Sequence, residues 1–309
     1  MKDIRLPTIK TISELFLVFG LVVIGLFAGT LVALLTAKPF FTDVSLTELI
    51  GKMGQMSNNP SDKWLALYVQ GMAASAGFGM APFLFAKYLS PLQEPMIFGK
   101  NSIKLMPWLL TFTIMAFAMP FVSYLEEWNK AFVFPESLKS LEIWFRHKED
   151  EIAELTKWLT KFESFSDFLF AFLVVGVVAG VAEEYLFRGV IQPRLIALFG
   201  NVHVGIWLTG FVFGAIHVQF YGLFPRMMLG VLLGYLAFYS GKLQYAMVGH
   251  ILNNGMVVIL LYFNSLQITS FDMESALGIS WYVAIVSIIA TFWQIISFRN
   301  QYKKIKAIY

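Results

Sequence analysis

Long apolar runs, more than any motif, decide what this chain can fold into. Candidates for membrane-crossing segments lie at 12–36, 65–89, 105–125, 167–195, 203–219, 225–240, 244–263 and 279–298, of which the sixth is short and the fourth long. A bilayer-spanning helix needs roughly 20 apolar residues. With no water in the hydrocarbon core, the backbone satisfies its polar groups only as a helix or a closed barrel. The runs are too long for barrel strands and lack an alternation of period two. The expected fold is therefore all-α, a polytopic integral membrane bundle of about eight transmembrane helices. The composition agrees, with 58% hydrophobic and 14% charged residues, where soluble domains carry about 25% charged.

The absence of cysteine excludes disulfides, thiol catalysis and thiolate metal sites. A net charge of +3 gives no reason to expect nucleic acid, so the lipid bilayer is the expected surrounding. Lys2, Arg5 and Lys10 precede the first run. That run is longer than the roughly 7–15 residues of a signal-peptide core and has no small-residue cleavage site, so it reads as a retained first helix. Eight helices would put both termini on one side. Arg299, Lys303, Lys304 and Lys306 in the tail, and a 264–278 loop without Lys or Arg, favour cytoplasmic termini.

Segment 126–166 differs from the rest. Leu141, Phe145, Ile152, Leu155, Leu159 and Phe162 recur at helical spacing, with Glu149, Asp150, Glu151 and Glu154 among them. This pattern predicts an amphipathic helix on the membrane surface or against the bundle, read as a structural connector before a substrate-binding element.

The fourth run ends in GVVAGVAEEYLFRGVIQPRL, which places Glu183, Glu184 and Arg188 inside a membrane helix. Intramembrane charges are costly, and they are functional by default. Glu184 and Arg188 are four residues apart and share a helix face, so they can pair, while Glu183 points about 100° away. His217 and His250 follow on later helices. Counted at 1.5 Å per residue from a common side, both histidines reach the interior at a depth comparable to that of Glu183. Asn254 shares the face of His250, and Phe213, one turn before His217, can wall the site. One carboxylate and two imidazoles meeting inside a membrane are parts for activating water, with or without a metal. A transporter or proton pathway would use the same residue types, and so would a non-catalytic scaffold that retained them.

In order and spacing, EEYLFR, FGAIH and HILNN resemble the E-E-x-x-x-R, F-x-x-x-H and H-x-x-x-N motifs of the CAAX protease and bacteriocin-processing (CPBP, or Abi) family of intramembrane endopeptidases. The likeness covers about 165–265. It implies a division into N-terminal helices and connector (1–165), a catalytic core (166–265) and a last helix with a basic tail (266–309). It also implies a helical-bundle peptidase opening toward the cytosol, acting on a membrane-associated protein or peptide that is lipidated in some members. Glu183 would be the general base and His217 would help to hold the water. His250 and Asn254 would donate to the oxyanion, and Glu184 with Arg188 would orient the site. The chain's compact style is similar to that of bacterial members and suggests a bacterial inner membrane. No cofactor is the favoured expectation. The alternative is zinc held by Glu183, His217 and His250, which would leave Glu184 as the base. A bacteriocin-immunity scaffold remains a further alternative.

Overall fold

A computed structural model of the chain describes residues 8–37, 48, 50, 51, 56, 59–90, 105–270 and 278–306. Long helices dominate, and among the described residues there is no strand. In chain order they are α1 (Thr8–Ala37), α2 (Ser61–Tyr88), α3 (Leu105–Lys130), α4 (Lys139–Leu159), α5 (Phe165–Phe199), α6 (Val202–Ala215), α7 (Phe220–Ser240, its first turn 3₁₀), α8 (Gln244–Ser265) and α9 (Trp281–Lys306). Seven of those described are long and apolar enough to cross a membrane; α4 is too polar and α6 too short. Phe16, Phe27, Phe292 and Trp293 are exposed on the bundle's outside, as residues facing lipid are.

Each of the eight expected runs is helical, with one difference of consequence. The fifth, expected over 203–219, stops at Ala215. Here the Nδ1–H of His217 donates to the Phe213 carbonyl at 2.9 Å, so the side chain satisfies a carbonyl that the helix end would leave orphaned. Val218 follows at φ 55°, a conformation that branching at Cβ disfavours, and α7 starts after it. The α6–α7 hairpin therefore turns back within the bundle, and His217 sits in the turn instead of on a helix.

Polar residues set the helix ends. Asn201 Oδ1 accepts from the amides of His203 and Val204 at the start of α6, and Gly200 before it takes φ 62°, a turn that favours glycine. Ser164 Oγ caps α5 through the Asp167 amide. Asn129, fully buried at the end of α3, accepts from the Phe224 amide and so caps α7 from another helix.

The core surrounds α5. Leu186, Phe187 and Val190 of α5 pack with Val18 and Val22 of α1, Phe85 of α2 and Phe213 of α6. Ala171 and Val174 pack with Leu67 of α2, Leu159 of α4 and Val258 of α8. A second core of Ile114, Leu233, Leu236, Ala246 and Phe298 joins α3, α7, α8 and α9. Two buried ion pairs brace opposite ends of α5. Lys63 reaches Asp167 at 3.2 Å, and Arg194 reaches Glu14 at 3.2 Å. The second pair, together with the packing of Tyr302 on Tyr245, puts both described ends of the chain at one end of the bundle.

The amphipathic connector is helical as expected, and most of the expected apolar face turns inward: Leu159 and Phe162 join the core and Phe145 packs on the Phe220 ring. Leu141 and Leu155 are 41% and 40% exposed, whereas Glu142 is 2% exposed. Polar residues share the inner side with the apolar ones. Arg146 lies over the Tyr221 ring at 4.4 Å, and Glu149 accepts from Gln219 Nε2 at 2.9 Å.

Candidate active site

Glu183 is 18 residues from the start of α5 and 16 from its end, so it sits about 27 and 24 Å from the two ends, near the middle of the span. The turns at Phe172–Val178 and Tyr185–Ile191 that flank it are π-helical. Such widened turns recur at functional sites because they re-aim side chains.

Glu184 and Arg188 are fully buried, and Arg188 Nη1 donates to Glu184 Oε1 at 2.5 Å. Arg188 Nη2 donates to the Gly230 carbonyl of α7 at 2.8 Å. A Cβ on Gly230 would stand 2.9 Å from Gly210 Cα and 3.3 Å from Arg188 Nη2, so glycine is what permits this approach. The guanidinium also lies 4.8 Å from the Phe213 ring centre, a cation–π contact.

His250 joins the same carboxylate. Its Nδ1 lies 2.8 Å from Glu184 Oε1. The carboxylate accepts, so Nδ1 carries the proton and Nε2 faces away, toward Glu183 Oε2 at 3.9 Å. That separation is one a single water can bridge. His217 has the same tautomer, since the carbonyl of Phe213 can only accept, and its Nε2 is left available. Phe213 stands between the two histidines, edge-on to both rings at 5.4 and 5.6 Å.

The two glutamates thus differ. The Glu184 side chain is 0% exposed and bonded to Arg188 and His250. The Glu183 side chain is 14% exposed and, among the described residues, has no hydrogen-bond partner. Asn254 does not turn wholly to the site. Its Nδ2 donates to the Val175 carbonyl in the first π turn at 3.2 Å, and its Oδ1 accepts from Asn253 at 3.1 Å. One Nδ2 proton remains to be shared. Glu183, Glu184, Arg188, Phe213, His217 and His250 are therefore brought together, with Asn254 tied to the wall beside them.

Among the described residues no three His, Asp or Glu side chains are grouped so as to hold a metal ion.

Sequence reading alone missed a second polar group beside this one. Arg226 of α7 is within electrostatic reach of Glu183, His217 and Glu149, and it bonds Gln219. An arginine inside an apolar run is a signal that could have found it. An apolar groove of about 510 Å³ runs along another face of α5, between Val178, Ala182 and Tyr185 and the Gly79–Phe83 stretch of α2.

Residues 165–256 match the family described as type II CAAX prenyl endopeptidase Rce1-like. The match supports assignment to the CAAX protease (CPBP) family and, in general terms, a CAAX-type intramembrane endopeptidase. With the long apolar helices it indicates an integral membrane protein. No curated protein and no solved structure matches the chain.

Proposed function

From this CAAX-protease family match we propose that the chain hydrolyses a peptide bond of a membrane-associated protein or peptide, with water activated by Glu183 and without a metal. The observation that carries the reading is the unequal state of the adjacent carboxylates. Glu184 is committed to Arg188 and His250, while Glu183 has no hydrogen-bond partner among the described residues, is partly exposed and faces His250 Nε2. A general base needs a free oxygen within reach of its water.

In this mechanism Glu183 takes a proton from a water lying between it and His250 Nε2. The oxygen attacks the peptide carbonyl, and the proton passes on to the leaving amine. His217, through Nε2, helps to hold the water. His250, with its proton on Nδ1, accepts from the water through Nε2, while the remaining Asn254 proton faces the oxyanion, where a preorganised donor in a site that excludes water stabilises charge strongly. Glu184 keeps His250 oriented, as a second carboxylate commonly does for a working imidazole. The apolar groove beside Ala182 and Tyr185 supports a substrate with an apolar or lipidated portion. The bacterial inner membrane, with both termini cytoplasmic, remains the proposed location.

The test is peptide hydrolysis by purified protein together with elemental analysis. Turnover by preparations without stoichiometric zinc, insensitive to chelators, is the expected result. One zinc per active chain, lost with activity on chelation and restored on addition, would overturn the metal-free mechanism. In that event Glu183 becomes a ligand and Glu184 the base.

A further inference from the structure

The loop that carries His217 is held from outside the matched motifs. Gln219, two residues on, is 9% exposed and bonded at both ends of its amide. Its Nε2 donates to Glu149 Oε1 of α4 at 2.9 Å, and its Oε1 accepts from Arg226 Nη2 of α7 at 2.7 Å. The three side chains form a clasp joining the connector helix, the turn and α7. Arg226 lies against Gly222, where a Cβ would stand 1.9 Å from its Nη1, so a bare Cα makes room for the guanidinium. Between His217 and Gln219, Val218 holds a φ of 55°. A branched residue in the left-handed region persists only when its surroundings over-determine it, and the clasp acts at the next residue.

We propose that Glu149, Gln219 and Arg226 are positioning residues that fix the His217 turn, so that α4 is part of the catalytic apparatus as well as a connector. The proposal rests on the endopeptidase reading for its kinetic consequence, and its structural half stands without it. An amide is suited to the middle place because it offers a donor to the carboxylate and an acceptor to the guanidinium at once. With Gln219 removed, the side-chain tie of this turn to α4 and α7 is lost, and a displacement of about 1 Å at a reacting group is enough for about a 10²-fold loss of rate.

The experiment uses the full chain in detergent, with hydrogen–deuterium exchange over residues 214–222 read beside kcat and KM on a peptide substrate. In Gln219→Leu and Glu149→Ala, exchange in this segment rises and kcat falls about 10²-fold with KM little changed. Glu149→Gln keeps the acceptor for Gln219 and restores both readouts. Glu151→Gln, on the exposed side of α4, matches the wild type in both. Wild-type exchange in Gln219→Leu overturns the clasp, as does a Glu149→Gln protein as impaired as Glu149→Ala. A wild-type protein that cleaves no peptide overturns the endopeptidase reading instead, and the exchange arm still decides the clasp.

Discussion

His250 is held by Glu184, the deeper of two neighbouring carboxylates, at 2.8 Å from Nδ1, and its other ring nitrogen faces Glu183 across 3.9 Å. One histidine thus separates a carboxylate that orients from a carboxylate left free, and the two should respond differently to the same substitution.

Glu183→Gln should lower kcat by about 10²–10⁴-fold, the usual worth of a general base, with an unchanged melting temperature. Glu184→Gln should lower both, because it leaves Arg188 buried against a neutral partner. Thermal unfolding in detergent beside turnover separates the two variants. A Glu183→Gln enzyme with normal turnover would remove Glu183 from the mechanism.

Arg188→Ala strands a buried carboxylate and frees the Gly230 carbonyl. Removing one partner of a buried pair costs about 3–5 kcal/mol, so the yield of folded protein should fall with activity. Arg188→Lys should rescue little, since one ammonium does not reproduce the planar fork that reaches Glu184 and Gly230 together. Comparing melting temperatures of the three proteins checks this.

The distance from Glu184 to His250 depends on how closely α5 approaches α8. A Cβ on Gly180 would stand 2.8 Å from Ile251 Cγ1 and 3.1 Å from its backbone nitrogen. Gly180→Ala should push the helices apart and reduce kcat. Gly20→Ala, with nothing within 4 Å of the added atom, should change nothing. Equal activity in both variants would show that the approach is not limiting.

Burial raises the Glu149 carboxyl above the usual carboxylate range, against an opposing pull from Arg226. A folded state that binds this proton more tightly than the unfolded chain loses stability as pH rises from the unfolded value through the folded one. Glu149→Gln keeps the bond to Gln219 and removes that ionisation. Its melting temperature relative to wild type should therefore increase from about pH 4 toward about pH 7. A constant or shrinking difference would contradict the burial.

Length and apolarity revealed all eight runs because a bilayer allows few alternatives, and the spacing of Glu184 and Arg188 announced their pair. What stayed hidden depends on partners distant in the chain. The inward turn of Glu149 on α4 makes sense only once Gln219, 70 residues later, is beside it. The early end of α6 arises from the His217 ring taking a carbonyl, which no hydropathy window registers. Asn254 was legible as facing the site, but its bond to Val175 requires the π turn opposite, and helical period gives no warning of that.

The bond between Arg194 and Glu14 spans 180 residues, and this separation is also an interval of time. At about 5–20 residues per second, α1 leaves the ribosome on the order of tens of seconds before its partner is made. Glu14 lies six residues inside the helix, about 9 Å from its start, close enough to the membrane surface to wait there hydrated. The first helix is thus inserted before it can be seated. Chains arrested short of Arg194 should leave Glu14 open to a water-soluble probe that the finished protein excludes.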